Sequence, residues 1–395
     1  GSLMRSRLLI LLMPIAGLFG QPSFTAHEIE SSADIASGVF AADIDKDGDT
    51  DILVASAGDN EIAWYENNGS ESFTKHSITT EATEAQEVFA IDFDQDGDID
   101  VLSSAQGSSR SYRGIAWYEN NGSQSFTPRS ITQETVQTSS VFVIDMDHDG
   151  DLDVLSSAYG HSSSTDQIAW HENNGSESFS HHVISTNVRG AENVFAIDLD
   201  KDGDIDVLSS ARLDDEIAWH ENNGSESFTQ HSITVSADGA VGLYAADLDQ
   251  DGDIDVFSTS WQDDKTRWYE NNGSQSFTSH TISSSYHDPW DVIALDFDKD
   301  GDIDVITANY SGENCVWFEN NGSESFTARV IDSTIGSDAQ SVYATDIDQD
   351  GDIDVITPQA NFDKVTWYEN TTAAPGTPTF TAATITTSAD GARAV

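Results

Sequence analysis

Nine-residue segments of the form Asp-x-Asp-x-Asp-Gly-Asp-x-Asp carry the densest chemistry in this chain, and they occur seven times. The first holds Asp43, Asp45, Asp47, Asp49 and Asp51, and the second Asp92, Asp94, Asp96, Asp98 and Asp100. Asp145, Asp147, Asp149, Asp151 and Asp153 form the third, and Asp198, Asp200, Asp202, Asp204 and Asp206 the fourth. The fifth has Asp247, Asp249, Asp251, Asp253 and Asp255, and the sixth Asp296, Asp298, Asp300, Asp302 and Asp304. Asp346, Asp348, Asp350, Asp352 and Asp354 complete the set. Carboxylates at positions 1, 3 and 5 can converge on one hard cation when the glycine at position 6 permits a sharp reversal. The main-chain carbonyl of position 7 and the carboxylate of position 9 would close an all-oxygen cage, the donor set calcium takes. The expectation is about seven calcium ions, one per loop. Magnesium demands stricter geometry and retains its water, so it suits such loops less. With no cation present, carboxylates about 5 Å apart repel by roughly 3 kcal/mol per pair at an effective dielectric near 20. Folding and cation binding should therefore be coupled.

The loops start 49, 53, 53, 49, 49 and 50 residues apart, a period that marks a repeat architecture. Each unit keeps one order. In the second, "EVFAI" enters the loop, "IDVLSSA" leaves it, and "GIAWYEN", "NGSQ" and "SFTPRSI" follow. Four short runs rich in Val, Ile, Phe, Trp and Thr, punctuated by Asn-Gly, read as four strands. No sustained helical period follows residue 20. The fold class expected is all-β: a seven-bladed β-propeller with four antiparallel strands per blade, A to D from the axis outwards. The acidic loop joins A to B, so an EF-hand, which needs flanking helices, is excluded. Arg5 and Arg7 precede an apolar run from Leu8 to Phe19, so residues 1–20 read as a cleaved signal peptide and residues 21–395 as the propeller. D-like segments occur at both ends, 22–29 and 379–385. One is expected to close the ring by joining a blade built from the opposite terminus. The other would be surplus, free to pair with a neighbouring molecule.

The seven loops, together with the "WYEN" or "WHEN" strands, resemble the FG-GAP and VCBS-type repeat, known from the calcium-binding propeller of integrin α subunits and from many bacterial secreted proteins. The resemblance covers about residues 22–395. It implies that the Asp-rich loop lies between strands A and B and holds calcium. The Phe-Gly and Gly-Ala-Pro signatures are absent, so integrin-like ligand recognition is not implied.

Composition restricts the partners. A net charge of -54 disfavours nucleic acid and anionic membrane surfaces. The single cysteine, Cys315, excludes an intrachain disulfide, so stability outside the cell must come from packing or metal. No membrane span is expected in the mature form. Tryptophans 64, 117, 170, 219, 268, 317 and 367 recur at one place per unit and read as packing between blades. The units differ most in their B–C and D–A connections, on the face opposite the acidic loops. That face gathers Arg110, Tyr112, Tyr159, His161, Arg212, Trp261, His287, Trp290 and Tyr310 as candidate ligand contacts. Aromatic rings beside Arg and His suit sugar rings or anionic groups. No nucleophile elbow, P-loop, dinucleotide fingerprint or zinc-type cluster is present, and no catalytic residue is assigned. The function expected is a secreted or cell-surface binding or adhesion module for extracellular glycan or protein ligands. Two alternatives stand beside it: a structural subunit that donates its surplus strand, and a propeller-type polysaccharide lyase or glycosidase.

Overall fold

The structure, a computed structural model, describes residues 34–70, 72–106, 114–132, 137–159, 166–176, 178–335, 338–370 and 380–384. Within them the chain forms seven four-stranded antiparallel sheets, and in every sheet each strand pairs with its neighbour in sequence. Blade 1 consists of β1 (Ala36–Ala42), β2 (Asp51–Ser56), β3 (Glu61–Asn67) and β4 (Phe73–Thr79). Blades 2 to 6 repeat this over residues 85–335. Blade 7 holds β25 (Tyr343–Thr345), β26 (Asp354–Gln359), β27 (Lys364–Asn370) and β28 (Phe380–Thr384). The all-β, seven-bladed architecture read from the repeats is the architecture observed. Up-and-down order puts the A–B loops and C–D turns on one rim and the B–C and D–A connections on the other.

Ring closure differs from expectation. The outer strand of blade 7 is β28, which pairs with β27 from Asn370↔Phe380 to Thr366↔Thr384. This C-terminal strand is thus neither surplus nor shared with the other end of the chain. A hairpin with the adjacent strand closes a short loop, whereas recruiting the far terminus closes the whole ring and costs more chain entropy. The 22–29 segment and the 1–20 leader lie outside the described residues. Side chains join the first and last blades instead. Val39, Ile52, Val54 and Tyr65 pack with Ile347, Ile356, Val365 and Trp367 in one buried cluster. Ring contacts Phe40–Tyr343 (4.8 Å) and Phe73–Trp367 (6.3 Å) flank it.

With tyrosines and phenylalanines beside them, the repeated tryptophans include the largest fully buried side chains, Trp117, Trp170, Trp317 and Trp367. Each also organises the outer strand. Trp64, Trp170, Trp219 and Trp268 stack on His76, His182, His231 and His280 at 4.6 to 4.8 Å, and Arg129 and Arg329 cover Trp117 and Trp317 at 5.4 and 5.3 Å. Every one of these six basic residues also pairs with the Glu two positions after its tryptophan, as His76 does with Glu66 at 2.7 Å. Such exposed pairs are each worth about 0–1 kcal/mol. Their effect is to hold a flat imidazole or guanidinium over the outer face of the indole. Four of the eleven histidines are thereby accounted for without chemistry.

Two others stand apart. His171 and His220 occupy the position held by Tyr65, Tyr118, Tyr269 and Tyr368 in other blades, and both are buried. Their Nε2 atoms lie 2.9 Å from Ser156 and Ser209 Oγ, where Tyr269 reaches Ser258 Oγ at 3.1 Å. Burial pushes His171 down to about 3 and His220 down to about 4. The folded state therefore binds fewer protons than the unfolded chain. Stability is intact above the unfolded value near 6.5 and is lost as pH falls through it. A His171→Tyr/His220→Tyr double variant should unfold in urea like the parent at pH 7.5 and be more stable by about 2 to 4 kcal/mol per histidine near pH 4. Equal acid sensitivity of the two proteins would refute this account.

Candidate metal centres and ligand face

In the first loop the backbone is held by the carboxylates themselves. Gly48 N donates to Asp43 Oδ2 (3.1 Å), Asp47 N to Asp45 Oδ1 (3.2 Å) and Asp49 N to Asp47 Oδ1 (2.9 Å). The same three bonds recur in the other six loops. The glycine takes φ near +99° at Gly48 with nothing within 4 Å of a hypothetical Cβ. The requirement there is left-handed backbone, not space.

These bonds use one oxygen of each carboxylate at positions 1, 3 and 5. The other oxygen of position 1 is buried with no hydrogen-bond partner in all seven loops: Oδ1 of Asp43, Asp92, Asp145, Asp198, Asp247, Asp296 and Asp346. One such orphan would be a local defect; seven at one position are a repeated donor that suits a common partner. Carboxylate oxygens of positions 1 and 3 converge within 4.8 Å of one another, joined by position 9 in the first, third and fourth loops and by position 5 in the second and fifth. Donors of this kind, all oxygen and anionic, fit a hard divalent cation and exclude soft ones.

Positions 7 and 9 do other things as well. Both oxygens of Asp51 accept backbone bonds, from Ile44 N (3.0 Å) and Asn67 N (2.8 Å), which pins the loop to the C–D turn. Burial pushes this ninth-position carboxyl up in every blade, to about 7 at Asp51 and about 8 at Asp304 and Asp354. The third-position carboxyls are raised for the same reason, reinforced by neighbouring aspartates. Seventh-position carboxylates turn away from the loop centre. Asp49 lies against Gly69, where a Cβ would strike it, and the arrangement repeats at Asp98, Asp151, Asp204, Asp253 and Asp302. This leaves position 7 its main-chain carbonyl as the donor facing inwards. The Asn-Gly turn is thereby explained: the glycine has φ near +69° and admits a carboxylate.

Position 4 carries no common residue type, yet its side chain links the loops. Lys46 Nζ reaches Asp98 (2.9 Å), Gln95 reaches the Gly150 carbonyl (2.6 Å), His148 the Gly203 carbonyl (3.0 Å) and Lys201 Asp253 (2.6 Å). Gln250, Lys299 and Gln349 extend the chain to Gly301, Gly351 and, closing the circle, Gly48. All seven adopt φ near +60°. Chemically dissimilar side chains here share only length and a donor, which is why no motif announced them.

On the opposite rim the candidate ligand residues sort into two groups. Trp261, Trp290 and Tyr310 form a chain of rings with centroids 6.3 and 5.7 Å apart. Beside them Trp261, Gln262, Asp264, His287, Asp288 and Ser311 line an open concavity of about 650 Å³. His287 Nδ1 lies 3.0 Å from Asp264 Oδ2. The Trp261 indole edge packs on Gly239, at 2.6 Å from a hypothetical Cβ, so this ring is half-buried and fixed. In the second group Arg212 covers the Tyr159 ring at 5.0 Å and pairs with Glu192 at 3.0 Å. Its charge is already balanced, so it is not a free anion receptor. Arg110, Tyr112 and His161 fall outside the described residues.

A family model for the FG-GAP-like repeat matches residues 43–103, 92–156, 157–209, 198–258, 247–307 and 296–357. The chain belongs to the FG-GAP-like repeat family. No curated protein sequence matches it. Among solved structures, a virginiamycin B lyase from Staphylococcus aureus is similar over 84% of this chain and 94% of its own, at 11% identity and a TM-score of 0.57. A streptogramin B lyase is similar over 86% and 95%, at 12% identity and a TM-score of 0.58. A protein from Lactobacillus plantarum is similar over 78% and 88%, at 14% identity and a TM-score of 0.54. At such identities the likeness concerns the fold alone.

The orphaned oxygen makes position 1 of the FG-GAP-like loop the most direct place to test for a bound ion. Asp198→Asn should lower by one the calcium ions retained per chain in equilibrium dialysis, with far-ultraviolet circular dichroism unchanged. An unchanged count would remove position 1 from the ligand set.

Proposed function

We propose that this FG-GAP-like propeller is an extracellular, calcium-stabilised binding module whose ligand surface is the rim opposite the acidic loops. The observation that carries the reading is the Trp261–Trp290–Tyr310 ring chain beside the concavity lined by Asp264, His287 and Asp288. Aromatic faces stack on the apolar faces of sugar rings, and carboxylates and imidazole accept and donate hydrogen bonds to hydroxyls. A carbohydrate is the ligand this combination fits. Two groups of blades contribute differently: the ring chain comes from connections in blades 5 and 6, whereas the acidic rim is the same in all seven. Specificity belongs where the repeats differ.

Calcium suits this reading because the loops offer only oxygen donors, and extracellular modules load such sites at about 10⁻⁴–10⁻³ M. Seven ions would offset part of the charge of -54 and leave a strongly acidic protein. The chain's own residues do the rest: they hold the turns and connect each loop to the next. The signal-like segment at residues 5–19 supports export.

A glycan array probed with the calcium-loaded protein tests the ligand. Binding to a defined glycan class that falls at least tenfold in Trp290→Ala or Asp264→Ala, at unchanged melting temperature, is the expected result. Binding that survives both substitutions would move the ligand site off this rim, and the absence of any glycan bound would overturn the carbohydrate reading.

A further inference from the structure

The innermost strands enclose a central channel, and comparing the seven repeats singles out two residues that break its pattern. Phe40, Phe89, Phe142, Phe195 and Tyr244, fifth in strand A of blades 1 to 5, and Tyr343, first in the shorter β25, face the axis in six of the blades. Adjacent rings touch, at 4.8 Å for Phe40–Tyr343, 4.6 Å for Phe40–Phe89, 4.9 Å for Phe142–Phe195 and 5.2 Å for Phe195–Tyr244. They form an aromatic collar around a cavity of about 250 Å³. Two positions earlier in the chain, five blades carry glycine, serine or asparagine. The other two carry Glu87 and Asp291.

Both carboxyls are buried, both line the cavity, and no Lys, Arg or His is among the residues that line it. Each holds a backbone amide of the following blade: Glu87 that of Val141, Asp291 that of Val342 at 3.0 Å. That bond is not a requirement of the fold, because five blades assemble without a carboxyl at this position. What Glu87 and Asp291 add is a pair of ionisable carboxyls inside an aromatic ring system, which a cation beside them would hold in the charged form. Burial pushes Glu87 up to about 8, with Asp291 raising it further, and burial pushes Asp291 up to about 7. The pair has no protein counter-charge.

We propose that the channel binds a small organic ammonium ion, its onium head inside the aromatic collar and its charge balanced by Glu87 and Asp291. Ring faces carry the negative end of the aromatic quadrupole and attract a weakly hydrated cation. Carboxylates at one end of a water-poor cavity add charge complementarity. A bare metal ion gains nothing from the rings, and an anion is repelled. Entry is from the rim opposite the acidic loops. There Gln86, Ser139, Trp290 and Gln340 line a mouth that shares Asn193 and Asp291 with the cavity. Glu192, also at that mouth, is neutralised by Arg212.

Isothermal titration of the calcium-loaded protein with choline, and with its neutral isostere 3,3-dimethylbutan-1-ol, tests the assignment. Saturable one-to-one binding of choline is expected, at least tenfold tighter than the alcohol. Glu87→Gln/Asp291→Asn should weaken choline at least tenfold while leaving the alcohol's affinity unchanged. Phe195→Leu should weaken it as well, which tests the collar without touching a carboxyl; should the double variant fail to fold, Glu87→Gln alone gives the same reading. No saturable choline binding, equal affinity for the alcohol, or full affinity in the carboxamide variants would overturn the proposal.

Discussion

A carboxylate that spends one oxygen on its own backbone and turns towards its fellow carboxylates in the loop is the interaction on which this structure depends. At positions 1, 3 and 5 of each acidic loop the amides of the loop take the first oxygen, and the turn so formed brings the second oxygens together. Turn geometry and donor set are therefore one object. Position 9 ties it to the C–D turn, position 7 lies against the glycine of that turn, and position 4 reaches the next loop. A cluster of like charges with orphaned oxygens opposes that arrangement, and the proposed calcium ions reverse the sign of the opposition.

The two rims divide the work. The acidic rim is nearly invariant from blade to blade, as a device for holding seven sheets in a circle must be. The opposite rim varies in loop length and in side chain, and there the rings of Trp261, Trp290 and Tyr310 line up. Between them the channel has a symmetric aromatic layer and an asymmetric pair of acids. Departures from the repeat, more than the repeat itself, mark where chemistry can be specific. With no covalent cross-link available to the lone, buried Cys315, stiffness comes from packed tryptophans and from the loop circle.

Much of this was legible in the sequence because repetition filters signal from noise. Seven aspartate loops at a period near 50 fixed blade number, strand order and rim, and the recurring tryptophans marked the inter-blade core. Features that depend on contacts between units were hidden. The position-4 residues are Lys, Gln or His, so their shared role as a bridge to the next loop leaves no common letter. Ring closure was misjudged because an eighth D-like segment looked like a partner for the far end, whereas β28 completes its own hairpin. Arg212 stands among the candidate ligand contacts in the sequence, and its pairing with Glu192, 20 residues away, exists only once strands are placed. The channel acids were overlooked since a single Glu or Asp in an apolar strand carries no motif. Alignment of the seven units would have found them.

Thermal unfolding with and without calcium tests the central claim most directly. With several loops each contributing up to about 2.7 kcal/mol when loaded at 100 times the dissociation constant, the melting temperature in millimolar calcium should fall by many degrees on adding excess chelator and recover on adding calcium back. A melting temperature unmoved by the chelator would contradict the account, because the seven buried oxygens would then need no cation for the propeller to stand.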